Sequence, residues 1–312
     1  GRWRCNLPRP AGVGSVYMRL ALLVVASCLA SACGGEPVPL APQAEKLTIE
    51  APKSRGAQRY VIDATGGKLG FDMEAPIEKI RGRVPESAVS GEIFVDPTDL
   101  GKTTGLVHVD IRELELFQRR ATAEGEAFGE ETRSDRQNEH ARVWLEISPD
   151  TPEDVLKKNT LVEFSLREVK DASANDLSKL TGPERKVTFT ATGEFLLHQR
   201  KASKSVKLEA TFAWAGDAPT AVTVRTLEPL EIGLDEYEVR PRAGFSKLAA
   251  ETLQTLSPKV AKAAQVRFEF TARLAPGATP TMQSVAAGAA PATPTAPAGG
   301  QLTAPGASGN GY

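Results

Sequence analysis

Between residues 58 and 274, apolar and polar side chains alternate over long stretches, the pattern of strands with one buried and one wetted face. Over 266–274 the apolar set is Val266, Phe268, Phe270, Ala272 and Leu274, separated by Arg267, Glu269, Thr271 and Arg273. Over 206–214 it is Val206, Leu208, Ala210, Phe212 and Trp214, against Lys207, Glu209 and Thr211. Over 187–197 one face carries Val187, Phe189, Ala191, Phe195 and Leu197, and the other Thr188, Thr190, Thr192 and Glu194. Gly193 keeps this phase and marks a bend or bulge. The polar connection 199–204 makes the last two segments a long hairpin. Weaker alternation predicts strands at 60–63, 67–73, 89–95, 106–111, 142–147, 161–169 and 222–232. One helix is predicted at 246–256, where Phe245, Leu248, Ala249, Thr252, Leu253 and Leu256 share a face and Pro258 ends it. Residues 117–140 are charged and without a clear period, open to a partly helical reading.

Strands with one wet face specify an antiparallel sheet, and a long meander escapes unpaired edges by closing on itself. The expected fold is all-β: an antiparallel β-barrel of about eight or more strands with one short helix. Such a barrel holds side chains alone or one small apolar ligand.

The ends of the chain read differently. Met18 is the first methionine, followed by Arg19, an apolar run over 20–26 and small residues as far as Cys33 and the pair Gly34 and Gly35. A positive start, a short apolar stretch and small residues form a secretory signal. The run is shorter than the ~20 residues that span a bilayer. Residues 1–17 read as upstream sequence, so 1–32 is set apart from the fold. Small residues leading into a cysteine resemble a bacterial lipoprotein signal, and two sites compete. Val25-Ala26-Ser27-Cys28 leaves ten residues from Met18, whereas Ala30-Ser31-Ala32-Cys33 leaves fifteen and is followed by the Gly pair. Cys33 is favoured as the lipidated residue. Ordinary secretion with cleavage near Ala32 is the alternative. Residues 33–57, rich in Pro, Ala and Gly, are expected to be a tether. Of the 38 residues in 275–312, 31 are Ala, Gly, Pro, Thr or Ser and none is charged, so this tail is expected to be disordered. Residues 58–274 remain as one domain, long enough to bury roughly 70% of its unfolded surface.

All three cysteines lie in the first 33 residues, which excludes a disulfide scaffold, a Cys-ligated zinc site and a thiol nucleophile from the domain. Four of the 38 basic residues precede Cys33, leaving 34 against 39 acidic ones, and aromatics are 6% of the chain. An acidic, aromatic-poor body argues against nucleic acid as a partner.

Catalytic motifs are missing from the sequence: it has no Gly-x-Ser-x-Gly elbow, His-Glu-x-x-His or Gly-x-Gly-x-x-Gly. The segment from Asp96 to Thr103 imitates a phosphate loop, but Asp96 stands where the first glycine belongs and a strand follows, not a helix. His108, Asp110 and Arg112 share a strand face, a metal or acid–base fragment that ordinary alternation also produces. His198 falls on the outward face of its strand beside Arg200, Lys201 and Lys204, read as a basic hairpin turn or as a contact for a lipid phosphate. Glu130, Glu131, Asp135 and Glu139 mix with Arg133 and Arg136 as a solvated charged stretch. The remaining candidates are apolar. Phe71, Phe164, Phe189, Phe195, Leu208, Phe212, Trp214, Phe268 and Phe270 are placed by alternation toward one interior, as core or as the wall of a pocket.

The order of these segments resembles the YceI-like family of bacterial periplasmic lipid- or polyisoprenoid-binding proteins. Tyr60-Val61-Ile62-Asp63 followed by Leu69-Gly70-Phe71 is similar to its first strand, and Ile80-Arg81-Gly82 and Val89-Ser90-Gly91-Glu92-Ile93 to its recurring glycine-containing stretch. Ala191-Thr192-Gly193-Glu194-Phe195-Leu196-Leu197-His198 carries the best match, and 242–274 resembles the closing strand. Two positions depart: Gln199 replaces a glycine expected after His198, and Ala64-Thr65-Gly66 replaces a histidine-bearing segment. The resemblance spans about 59–274. It implies a lipocalin-like barrel with an apolar channel for an isoprenoid or other amphiphilic lipid, and binding without catalysis; no cofactor or metal is expected.

The first expectation is therefore a lipid-anchored binding module. Gly34, in place of the aspartate that holds many lipoproteins in the inner membrane, points to the outer membrane, facing the periplasm. The alternative is a filled barrel displayed on the membrane for a protein partner, and a homodimer stays open. The interior volume of the barrel separates the two.

Overall fold

The computed structural model describes residues 38–216, 218–241 and 261–276. Among them, thirteen strands join in one antiparallel sheet: β1 (Gln58–Ile62), β2 (Lys68–Ala75), β3 (Glu78–Arg83), β4 (Val89–Val95), β5 (Thr104–Asp110), β6 (Glu115–Arg120), β7 (Thr132–Arg133), β8 (Leu161–Lys170), β9 (Glu184–Leu197), β10 (Arg200–Ala215), β11 (Ala218–Thr226), β12 (Leu230–Gly233) and β13 (Ala263–Leu274). Eight of them close a ring in the order β1-β4-β5-β8-β9-β10-β11-β13, sealed by pairing of Tyr60–Ile62 with Ala272–Leu274. The expected antiparallel barrel is thus present.

β13 does double duty. Its C-terminal half lies between β11 and β1, and its N-terminal half between β12 and β2. β2 then carries β3, β6 and β7 as an extension beyond the ring. Two glycines permit close packing on the inner face. A Cβ on Gly193 would come within 2.3 Å of the Ser165 carbonyl oxygen and 2.8 Å of the Phe164 ring. The expected bulge lies across from Gly193, in β8, where the register slips between Leu166 and Glu168. Gly82 likewise leaves its space to the Phe71 ring, 2.2 Å from a would-be Cβ.

The sheet is joined by two short α-helices, α1 (Asp135–Trp144), whose first residues fall in the stretch 117–140 left open to a partly helical reading, and α2 (Glu153–Asn159), which was not anticipated. The strand predicted at 142–147 is corrected by α1. Val143, Leu145 and Ile147 do alternate, but the Ser134 hydroxyl caps the helix by accepting from the Gln137 N–H, and Gln137, Ala141 and Leu145 form a helical stripe. The helix predicted at 246–256 lies outside the described residues, as do Cys33, the signal segment and nearly all of the tail.

The described part of the segment expected as a tether, 38–57, is packed on the barrel. Ala41, Leu47 and Ala57 are buried. Leu47 covers the outward-pointing Leu106 and Leu196 in a second small core. Polar outward side chains hold this strap: Ser165 donates to the Thr48 carbonyl at 2.8 Å, Thr104 to that of Glu50 at 3.3 Å, and the buried Glu163 carboxylate accepts from the Leu47 N–H. Composition marked the strap as loop, and its few apolar residues suffice to fix it once the barrel wall presents partners.

Candidate ligand-binding cavity

Inside the barrel the inward side chains leave a cavity of about 420 Å³. Its wall is built by the alternation of the ring strands: Ile93 and Val95 from β4, Val107 and Val109 from β5, Phe164 and Leu166 from β8, Phe189, Ala191 and Phe195 from β9, Val206, Leu208, Ala210 and Phe212 from β10, Val222 and Val224 from β11, and Phe268 and Phe270 from β13. Phe268 and Phe270 stack with ring centres 5.8 Å apart. β2 adds Phe71 and Met73, and α1 lays His140, Ala141 and Trp144 against the same space. The imidazole of His140 stacks on Trp144 at 5.9 Å.

The two ends differ. At one, Leu100 and Thr103 of the β4–β5 connection reach the cavity, and both are buried. At the other, the wall is made by α1, by β2 and β3, and by Leu234, Val239 and Pro241 after β12. Glu78, Gln137 and His140, polar and half-buried, stand at this rim, with Gln137 donating to Glu78 at 2.9 Å.

Eight of the nine residues singled out from sequence line the cavity: Phe71, Phe164, Phe189, Phe195, Leu208, Phe212, Phe268 and Phe270. Trp214 does not. The β10–β11 register shifts between Ala213 and Trp214, and the indole lies at the barrel's end beneath the Arg185 guanidinium, 3.5 Å from its ring centre. Sequence reasoning missed Trp144, Met73 and Leu234 from the wall, because all three sit on elements without clean alternation.

His198 is corrected from an outward basic turn to a buried clasp, 6% exposed. With Gln199 it forms the β9–β10 turn, both residues in the left-handed region at φ 50° and 56°. Its Nδ1 lies 3.0 Å from the Tyr237 carbonyl, which can only accept, so Nδ1 carries a proton. Its Nε2 lies 3.0 Å from the Glu146 carboxylate, just past α1. Gln199, where the family resemblance calls for glycine, is held in that conformation by donating to Asn159 at 2.9 Å. The basic residues that follow are each matched by an acid: Arg200 by Glu238, Lys201 by Glu194 and Lys204 by Glu236. The turn thus presents no open cationic patch for a lipid phosphate.

The other sequence candidates separate. His108 turns to Glu163, its Nδ1 2.9 Å from the carboxylate but off hydrogen-bond alignment, whereas Asp110 pairs with Arg112. Burial pushes the Asp110 carboxyl up, but the Arg112 side chain and N–H outweigh it and hold it low. Asp96, in the phosphate-loop imitation, staples its own turn by accepting from Ser54 at 2.6 Å and from the Thr98 hydroxyl and N–H. Among the described residues no three His, Cys, Asp or Glu side chains gather as a metal site, and no helix is long and apolar enough to cross a membrane.

Comparison with known proteins returned no matching family model and no matching curated protein. Among solved structures, the chain is similar to a polyisoprenoid-binding domain from Saccharophagus degradans implicated in plant cell wall breakdown, at 15% identity and a TM-score of 0.41, over 69% of this chain and 98% of that one.

Proposed function

We propose that this chain is a non-catalytic binding protein that holds an isoprenoid or another amphiphilic lipid inside its barrel, and that an acylated Cys33 ties it to the outer membrane, facing the periplasm. The observation that carries the binding reading is the cavity of about 420 Å³ with its aliphatic and aromatic wall. That volume falls among those of small-molecule sites, roughly 300–1,000 Å³. An apolar cavity of this size has no partners for water and favours an apolar occupant. Burial contributes about 0.8 kcal/mol per methylene, so a fifteen-carbon isoprenoid gains about 12 kcal/mol. Lost freedom of motion offsets at least about 4 kcal/mol, which leaves micromolar affinity at best without any charged contact. The alternative, a display module, required a filled interior, and the void argues against it.

Trp144 faces the cavity and Trp214 does not, so the two indoles form a built-in test. Titration of the mature chain carrying Cys33→Ser with farnesol is expected to give a saturable change in tryptophan emission. The change should persist in Trp214→Phe and vanish in Trp144→Phe. No saturable change in the parent, or one that depends on Trp214, overturns the proposal.

A further inference from the structure

The strap begins at the cavity's rim, and this fixes which end of the barrel a membrane anchor can reach. Ala41 is the first of the described residues fastened on both sides: its N–H donates to the Glu236 carbonyl and its own carbonyl accepts from Arg200, both at 2.9 Å. Lys201 N–H donates to the Pro42 carbonyl at 2.8 Å, and Ala44 N–H to that of Gln199 at 2.9 Å. These partners belong to the β9–β10 turn and to the segment after β12. That segment also supplies Leu234, Val239 and Pro241 to the cavity wall. His198 ties both to Glu146 behind α1, which supplies Trp144. Turn, helix and post-β12 segment thus form one rim, and the strap leaves from it.

We infer that this rim, and not the opposite end, is presented to the bilayer, so that an apolar ligand passes between membrane and cavity without crossing water. The inference rests on the reading of Cys33 as the anchor. Eight residues separate Cys33 from Ala41, and a fully extended chain of that length spans at most about 29 Å. The opposite end lies thirteen residues along β9, about 43 Å at strand rise, and with the usual barrel tilt of about 35–45° roughly 30–35 Å away along the axis. The anchor therefore reaches the rim and falls short of the far end. Val38 and Leu40, immediately before the fastened residue, are 54% and 44% exposed, two of the few large apolar side chains left in water among the described residues. They suit an interfacial environment.

The test places a fluorophore on a single new thiol in the full lipidated chain, at the rim with Asp235→Cys or at the far end with Lys179→Cys. Both side chains are exposed, and neither lines the cavity. The protein is reconstituted in phosphatidylethanolamine/phosphatidylglycerol vesicles containing headgroup spin-labelled lipid. Quenching at position 235 is expected to exceed that at 179 severalfold. Twenty Gly/Ser residues inserted after Gly35 should erase most of the difference while the protein stays bound. Equal quenching at both positions, or stronger quenching at 179, overturns the inference while leaving anchor and ligand binding intact. Membrane association that persists in Cys33→Ser removes the anchor itself and overturns the inference by that separate route.

Discussion

Replacing Ala191 with leucine should stabilise the protein and weaken its ligand binding together. Ala191 sits in mid-wall on β9, 1% exposed, paired with Val206 on β10 and Val169 on β8, and its methyl faces the cavity. Leucine adds three carbons. In a close-packed interior such an addition costs about 1–3 kcal/mol in strain. Entering the void, the same carbons leave water without displacing a neighbour and contribute up to about 2.4 kcal/mol. For a domain of this size that raises the melting temperature by roughly 5–10 °C. The three carbons also occupy room that a ligand would fill. Forfeiting that burial costs the ligand about 2.4 kcal/mol, close to 50-fold in affinity. Thermal unfolding followed by circular dichroism reads the first effect, and farnesol titration the second. A lower melting temperature with unchanged affinity would refute the cavity argument, since it is the outcome for a filled barrel.

Other consequences follow from the packing. Gly193→Ala is expected to cost about 2 kcal/mol, because its methyl meets the Ser165 carbonyl and the Phe164 ring. Gly66→Ala, with no atom within 4 Å of its added methyl, should be neutral to slightly stabilising, and equal melting shifts for the two would contradict this account. Leu47→Ala should loosen the strap by about 2 kcal/mol, speeding tryptic cleavage at Lys46 roughly 30-fold while the barrel melts nearly as before. Burial raises the Tyr60 and Tyr237 hydroxyls well above their ordinary value. The folded state thus holds these protons more tightly than the unfolded chain, so their contribution is complete below pH ~10 and is lost as the pH rises beyond it. A flat denaturation midpoint between pH 9 and 11.5 would count against that assignment.

The ring strands were legible because each has one dry and one wet face, and period-two alternation records that difference directly. Val89–Val95 was read to the residue, and the predicted 161–169 and 266–274 differ from β8 and β13 only at their ends. β3 and β6 were missed. Lying in the extension beyond the ring, they read Glu-Lys-Ile-Arg-Gly-Arg and Glu-Leu-Phe-Gln-Arg-Arg, with too few apolar residues to show a period. The span predicted at 222–232 is two strands, because β13 takes β11 and β12 as successive neighbours along its length. The strap and the His198 clasp were illegible for a related reason. Their partners are outward groups of a finished barrel, such as Glu163 and Ser165, which alternation marks only as wet. Alternation also says which side chains face inward but not whether they meet. Eight of nine inward aromatic and leucine candidates were placed on the wall, yet the gap between them depends on barrel closure and on the α1 lid.

The central claim is that the barrel is occupied by an apolar molecule in its working state. Native mass spectrometry of the mature chain carrying Cys33→Ser, after mild extraction and incubation with isoprenoids of increasing length, tests it most directly. The account predicts a single bound equivalent, lost in parallel with affinity in Ala191→Leu. Only the ligand-free mass at every length would contradict it.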